Sequence, residues 1–219
     1  MVLVSRGLII FDLDGTLVDS RLDLANAVNR VLADLGRPPR AVHEIVGFIG
    51  HGVARLLERA LGGPELVAAA RPLFERHYGA GLLEHTRPYS GIDALVRNLG
   101  ARHVLAVATN KPGPWARAIV DGLGWAAAIP HVLGGGDVAR LKPAPDMVER
   151  LLARIGCSRE GALIVGDMEV DVELARATAL PAVGVSWGLA GRERLEAAGA
   201  RWIVDSAAEL AAVLDELSP

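Results

Sequence analysis

The chain has 219 residues, 51% of them hydrophobic and 22% charged, a balance that excludes a largely disordered protein and supplies the side chains for a substantial core. A formal net charge of -3, with the arginines scattered along the chain, offers no positive field for a polyanion, so nucleic acid is not an expected partner. Cys157 is the only cysteine, which rules out an internal disulfide or a thiolate metal cage and suits a reducing compartment.

Met1 to Arg6 lack the charged start, apolar stretch and small-residue cleavage site of a secretory signal. Leu8 to Phe11 then form the first strand signal, an apolar run that ends in Asp12-Leu13-Asp14-Gly15-Thr16. From 19 to 86 only helical spacing is present. It is carried by Leu24, Ala25, Val28, Val31, Leu32 and Leu35, then by Val53, Leu56, Leu57, Ala60 and Leu61, with a third helix expected from Pro64 to about Leu83. Further strands are expected at His103 to Ala108, Ala162 to Val165, Ala182 to Ser186 and Arg201 to Val204. Apolar positions at helical spacing around Ile92 to Leu99, Ala116 to Leu123, Met147 to Ile155 and Leu210 to Leu217 lie between and after them.

Strands alternating with helices predict an α/β fold, a Rossmann-like parallel sheet with helices on both faces. The all-helical stretch is expected to be an inserted cap over 19–86, leaving 1–18 and 87–219 as the core. The longest uncharged run, between Asp121 and Asp137, is too short to span a bilayer and is broken by Pro130, His131 and Gly134 to Gly136. The expected location is the cytoplasm, away from membranes.

Asp12 and Asp14 are two residues apart, so in extended backbone both carboxylates project to one side, at the strand end where open α/β sheets bind ligands. A solvated strand end or an Asp14-Gly15 hairpin turn is the plain alternative. A second acidic pair, Asp167 and Asp171, follows the strand at Ala162 to Val165; with a helix beginning near Met168, Asp167 is its expected N-cap and Asp171 lies one turn on. The two pairs together offer hard oxygen ligands of the kind Mg2+ takes.

Only Lys111 and Lys142 are lysines among the 23 basic residues. A chain that otherwise uses arginine points to a specific use for Lys142, such as an ammonium touching a phosphoryl oxygen and a carboxylate together. Thr109-Asn110-Lys111-Pro112 follows a strand and can surround phosphate oxygens with a hydroxyl, an amide and N–H groups. In the helical stretch, Gly50, His51, Gly52 and Arg55 stand where a helix N-terminus could meet a substrate carboxylate.

Asp12 with Asp14, Thr109, Lys142, and Asp167 with Asp171, in this order from about 7 to 187, resemble the four motifs of the haloacid dehalogenase superfamily. The resemblance implies that Asp12 attacks phosphorus to give an aspartyl phosphate and that Asp14 is the general acid and base. It also implies that Thr109 and Lys142 stabilise the phosphoryl group, and that Asp12, the Asp14 carbonyl, Asp167 and the nearby Asp171 hold magnesium. The runs Asp12 to Ser20, Ile49 to Gly52, Leu56 to Leu61, Thr109 to Pro112 and Val185 to Gly188 are similar to phosphoglycolate phosphatases, although His51 stands where that branch is expected to carry asparagine.

The implied partner is a small phosphorylated metabolite, 2-phosphoglycolate; a homodimer is compatible with the sequence but not derivable from it. Phosphatases or mutases acting on sugar phosphates or pyrophosphate share the same core motifs, and a catalytically idle binding protein on this fold is the alternative of another class. Gly184-Val185-Ser186-Trp187-Gly188 matches a serine-hydrolase elbow, but every histidine precedes Ser186, which leaves no triad partner in the required order.

Overall fold

The computed structural model describes residues 7–217; Met1 to Arg6, which lack the pattern of a secretory signal, lie outside the described residues, as does the start of the expected core segment 1–18. In chain order the elements are β1 (Leu8–Phe11), β2 (Val18–Asp19), α1 (Arg21–Asp34), α2 (Val42–Val46), α3 (Val53–Leu61), α4 (Val67–Gly79), β3 (Arg87–Pro88), α5 (Ile92–Arg102), β4 (Val104–Pro112), α6 (Gly113–Gly122), β5 (His131–Gly135), α7 (Asp146–Ile155), β6 (Ala162–Gly166), α8 (Glu169–Thr178), β7 (Ala182–Val185), α9 (Gly191–Ala197), β8 (Trp202–Val204) and α10 (Ala207–Leu217).

Six strands form one parallel sheet in the order β5-β4-β1-β6-β7-β8. β1 is central and the chain builds outward first on one side and then on the other, so the strand order reverses between β1 and β6. In such sheets the ligand crevice lies beyond the carboxyl ends of the strands at that reversal. Asp12 follows β1 there and Asp167 follows β6.

Alternation along the strands makes two cores. Ile9, Phe11, Leu105, Val107, Leu163 and Val165 pack with Ile92, Leu99, Ile119, Leu210 and Leu214 on one face. Leu8, Ile10, Ala106, Ala108 and Ile164 pack with Met147, Val148, Leu151 and Leu174 on the other. Both faces are covered by helices, as near-continuous apolar parallel strands require.

Helices α1 to α4 share a third core built on Val28, Val31, Leu57, Phe74 and Tyr78. The chain leaves for them and returns through the antiparallel pair β2–β3, where Val18 faces Pro88 and Asp19 faces Arg87. Buried Asp23 at the start of α1 accepts bonds from the His85 and Thr86 N–H groups and from Thr86 Oγ1, at 2.7 to 3.0 Å, clasping the two crossings together.

Four local expectations differ. The third helix closes at Gly79, short of Leu83, where Gly79 and Gly81 weaken the helix. β4 continues through Thr109, Asn110 and Lys111 to Pro112 instead of ending at Ala108. Asp167 is not a helix N-cap, because α8 begins at Glu169 with Met168 in the cap position. β5 lies in the glycine-broken run between Asp121 and Asp137, where the sequence pattern predicts no strand. Among the described residues no helix is long and apolar enough to cross a membrane.

Candidate active site

At the strand reversal Asp12, Asp167 and Asp171 bring carboxylate oxygens within 4.8 Å of one another, all three residues being buried. Asp12 Oδ1 accepts from the Leu13 N–H at 2.7 Å and from Lys142 Nζ at 2.9 Å, while Oδ2 accepts no hydrogen bond from the described residues. Asp167 is held by Thr16 Oγ1 at 2.8 Å and by the Leu189 N–H at 2.7 Å. Asp171 caps its own helix by accepting from the Met168 N–H at 3.1 Å and receives Lys142 Nζ at 2.7 Å. Asp167, expected to cap the helix, instead joins the carboxylate cluster, while Met168 takes the cap position with Asp171 accepting its N–H.

Three buried carboxylates share one ammonium, so their fully ionised state carries two uncompensated negative charges. Burial, only partly opposed by Lys142 and aggravated by Asp171, lifts the Asp12 carboxyl from its ordinary 3.8 to about 6. Burial and the charges of Asp12 and Asp171 hold Asp167 well above the usual carboxylate range. Burial works against the Lys142 ammonium too, but Asp12 and Asp171 outweigh it and raise its pKa. A cluster of hard oxygen donors in electrostatic deficit could hold a divalent cation, and the deficit has the magnitude of one such ion.

Glycines let the loops close on this cluster. A Cβ on Gly15, where φ is +90°, would lie 2.2 Å from Asp167 Oδ2, and one on Gly188 would lie 2.3 Å from the same oxygen.

Asp14 belongs to a second group. Its Oδ1 and Oδ2 receive Lys111 Nζ at 2.9 and 3.0 Å, and Ser20 Oγ donates to Oδ1 at 2.5 Å. Lys111 also donates to Tyr78 Oη at 2.5 Å, joining the end of β4 to helix α4. Burial works against this ammonium, but Asp14 and Tyr78 outweigh it and raise its pKa; burial pushes the Tyr78 phenol up to about 12. Neither Lys111 nor Tyr78 was assigned a role from sequence. The scarcity of lysine applied to Lys111 as much as to Lys142, whereas no local signal marks Tyr78.

Between the two groups and the helices lies a narrow cavity of about 40 Å3 that opens to solvent. Its floor is Asp12, Asp14, Thr109, Asn110 and Lys111; Leu24, Ile49, Val53, Leu56 and Tyr78 form its helical wall, with Gly50 and Gly52 between them. Thr109 Oγ1 accepts from the Lys111 N–H at 3.3 Å and keeps its own hydrogen for another acceptor. Asn110 contrasts with its expected role. Its amide hydrogens go to the Gly50 and Lys142 carbonyls and its oxygen receives the Lys142 N–H, so it fixes the lysine loop to the helices. Neither His51 nor Arg55 lines the cavity; Arg55 is exposed and paired with Glu58 at 2.8 Å.

Residues 9–185 match the family described as Haloacid dehalogenase-like hydrolase. A phosphoglycolate phosphatase of Rhodospirillum rubrum is 37% identical over 213 residues, covering 92% of this chain and 88% of that protein. A plasmid phosphoglycolate phosphatase of Cupriavidus necator is 35% identical over 214 residues, covering 94% and 92%. The crystal structure of a predicted phosphoglycolate phosphatase from Haemophilus somnus matches with a TM-score of 0.89 at 28% identity, covering 96% of this chain and 99% of that one. The chain belongs to the haloacid dehalogenase-like hydrolases. Within that family it is a phosphatase.

Proposed function

We propose that this phosphatase is a magnesium-dependent phosphomonoester hydrolase that converts 2-phosphoglycolate to glycolate through an aspartyl phosphate on Asp12. The observation that carries the proposal is the three-carboxylate, one-ammonium cluster whose Asp12 lines the same cavity as Asp14. Relatives named phosphoglycolate phosphatase supply the substrate.

Asp12 Oδ2, which accepts no hydrogen bond from the described residues, attacks phosphorus as the bond to the leaving oxygen breaks, and Asp14 gives that leaving oxygen its proton. Asp14 then takes a proton from water as the water attacks the same phosphorus; the bond from phosphorus to Asp12 breaks and inorganic phosphate leaves. Lys142 orients Asp12 and offsets negative charge on the phosphoryl oxygens, and the Thr109 hydroxyl donates to one of them. Asp12, Asp167 and Asp171, with the Asp14 backbone carbonyl, are the groups to hold magnesium, whose chemistry is charge neutralisation at the phosphoryl group. Residues 19–86 act as a cap that excludes water over the core of 1–18 and 87–219.

Phosphate release from 2-phosphoglycolate, hexose phosphates and pyrophosphate, with magnesium and with chelator, tests this reading. It expects magnesium-dependent turnover with 2-phosphoglycolate preferred; equal or better turnover of a sugar phosphate removes the substrate assignment, and turnover that survives chelation removes the metal.

A further inference from the structure

We infer that Lys111 and Tyr78 together receive the carboxylate of the substrate, making them the pair that selects a phosphate ester with a second negative charge. The inference deepens the reading above and rests on its placement of Asp14 at the leaving oxygen.

The cavity contains one cationic side chain. Among the described residues Lys142, Arg55 and His51 do not line it, which leaves Lys111. Leu24, Ile49, Val53 and Leu56 make the helical wall around it apolar, and the Trp115 indole lies beside Tyr78. A carboxylate brought into such a wall without a cation would lose its hydration uncompensated.

Lys111 is also at the required place. In 2-phosphoglycolate only one methylene separates the leaving oxygen from the carboxylate carbon, so an acid within about 3 Å of the leaving oxygen has the carboxylate close beside it. The Lys111 ammonium is 2.9 and 3.0 Å from the two oxygens of Asp14. Its three hydrogens are directed at Asp14 Oδ1, Asp14 Oδ2 and Tyr78 Oη.

Tyr78 contributes the second donor. Its side chain is buried, its phenol oxygen accepts from Lys111, and among the described residues the phenol hydrogen has no acceptor. The ammonium also lies 4.5 Å from the ring centroid. A carboxylate entering here takes the phenol hydrogen and one ammonium hydrogen now directed at Asp14. An uncharged substituent leaves the phenol hydrogen without an acceptor and gives the ammonium no further partner.

The experiment compares 2-phosphoglycolate with propyl phosphate, similar in length and lacking the carboxylate, on the parent, Lys111→Met and Tyr78→Phe. Removing Lys111 also leaves Asp14 without its cation, so both turnovers fall; the ratio of kcat/KM values between the two esters is the reading. It is expected to drop about tenfold or more in each variant, with the Tyr78→Phe loss chiefly in KM for 2-phosphoglycolate. Titration calorimetry on Asp12→Asn protein, alone and combined with Lys111→Met or with Tyr78→Phe, gives the same reading without turnover, as about tenfold weaker binding of 2-phosphoglycolate and little change for propyl phosphate. Equal losses for both esters, or intact 2-phosphoglycolate binding in both variants, overturn the role of the pair while leaving the phosphatase mechanism standing. Failure of the parent to turn over 2-phosphoglycolate with magnesium strikes the substrate assignment instead, and the calorimetric arm still reads the pair.

Discussion

The Lys142 ammonium stands 2.9 Å from the carboxylate of Asp12, inside a cluster where it is also 2.7 Å from Asp171 and no second cation is present among the described residues. Replacing it by methionine keeps most of the volume and removes the charge. Lys142→Met is expected to lower magnesium-dependent turnover by about 10^2-fold or more. It should also lower metal-free stability by about 3 to 5 kcal/mol, because buried carboxylates lose their partner. Urea denaturation with chelator and with magnesium measures the second effect, and magnesium should restore part of it. Unchanged metal-free stability would contradict the electrostatic deficit assigned to the cluster.

Asp12→Asn retains the shape of the side chain but loses the nucleophile. Turnover of every phosphomonoester is expected to fall by roughly 10^4-fold or more, with the melting temperature within about 5 °C of the parent. Phosphate release and thermal melting on the same preparation check both. A folded variant with substantial turnover would move the attack to another residue.

How much of this was legible depended on whether the signal was local. The run Leu8 to Asp14 announced a buried strand ending in acids because its apolar and acidic residues are contiguous, and β1 spans Leu8–Phe11 as expected. β5 was missed because Gly134 and Gly135 mask a strand. Gly134 is required by packing, since a Cβ there would lie 2.4 Å from the Lys111 carbonyl oxygen, and such a constraint exists only once β4 is beside it. Tyr78 is 33 residues from Lys111 in the chain and meets it only through the packing of α4, so no spacing could reveal the pair. Asp167 was given the capping duty because it precedes a helix. The cap position instead falls to Met168, whose N–H is taken by Asp171 three residues on, a choice that depends on the turn at the end of β6.

The raised pKa values of Asp12 and Asp167 fix the sign of a pH effect. Between 3.8 and about 6 the folded chain holds more protons on Asp12 than the unfolded chain does, so this group's contribution to stability declines as pH rises through that window. Asp167 acts in the same direction. Surface acids such as Asp34 and Asp93, whose pKa values are lowered by hydrogen bonds from His77 and Arg97, act in the opposite direction. The test is therefore a difference. Melting temperatures in chelator at pH 4.5 and pH 7 should shift further toward greater relative stability at pH 7 in Asp167→Asn than in the parent. Magnesium should stabilise the parent more at pH 7 than at pH 4.5; equal stabilisation at both would detach the cation from these carboxylates.

Gly188 gives a steric test of the same site without touching a charge. A Cβ there would lie 2.3 Å from both Cβ and Oδ2 of Asp167, and no left-handed backbone strain accompanies the substitution. Gly188→Ala should therefore displace the Asp167 carboxylate and weaken the bond it receives from the Leu189 N–H. Misplacing one of three charged ligands should raise the magnesium concentration for half-maximal activity by about tenfold. Gly36→Ala is the control. Its φ is +66° with no atom within 4 Å, so it should cost about 1 kcal/mol of stability and leave the magnesium dependence unchanged. Magnesium titrations followed by activity and by thermal shift separate the two variants, the second readout being independent of turnover. If Gly188→Ala keeps the parent's magnesium dependence in both, Asp167 does not hold the metal, and the cluster must be compensated through Asp12 and Asp171 alone.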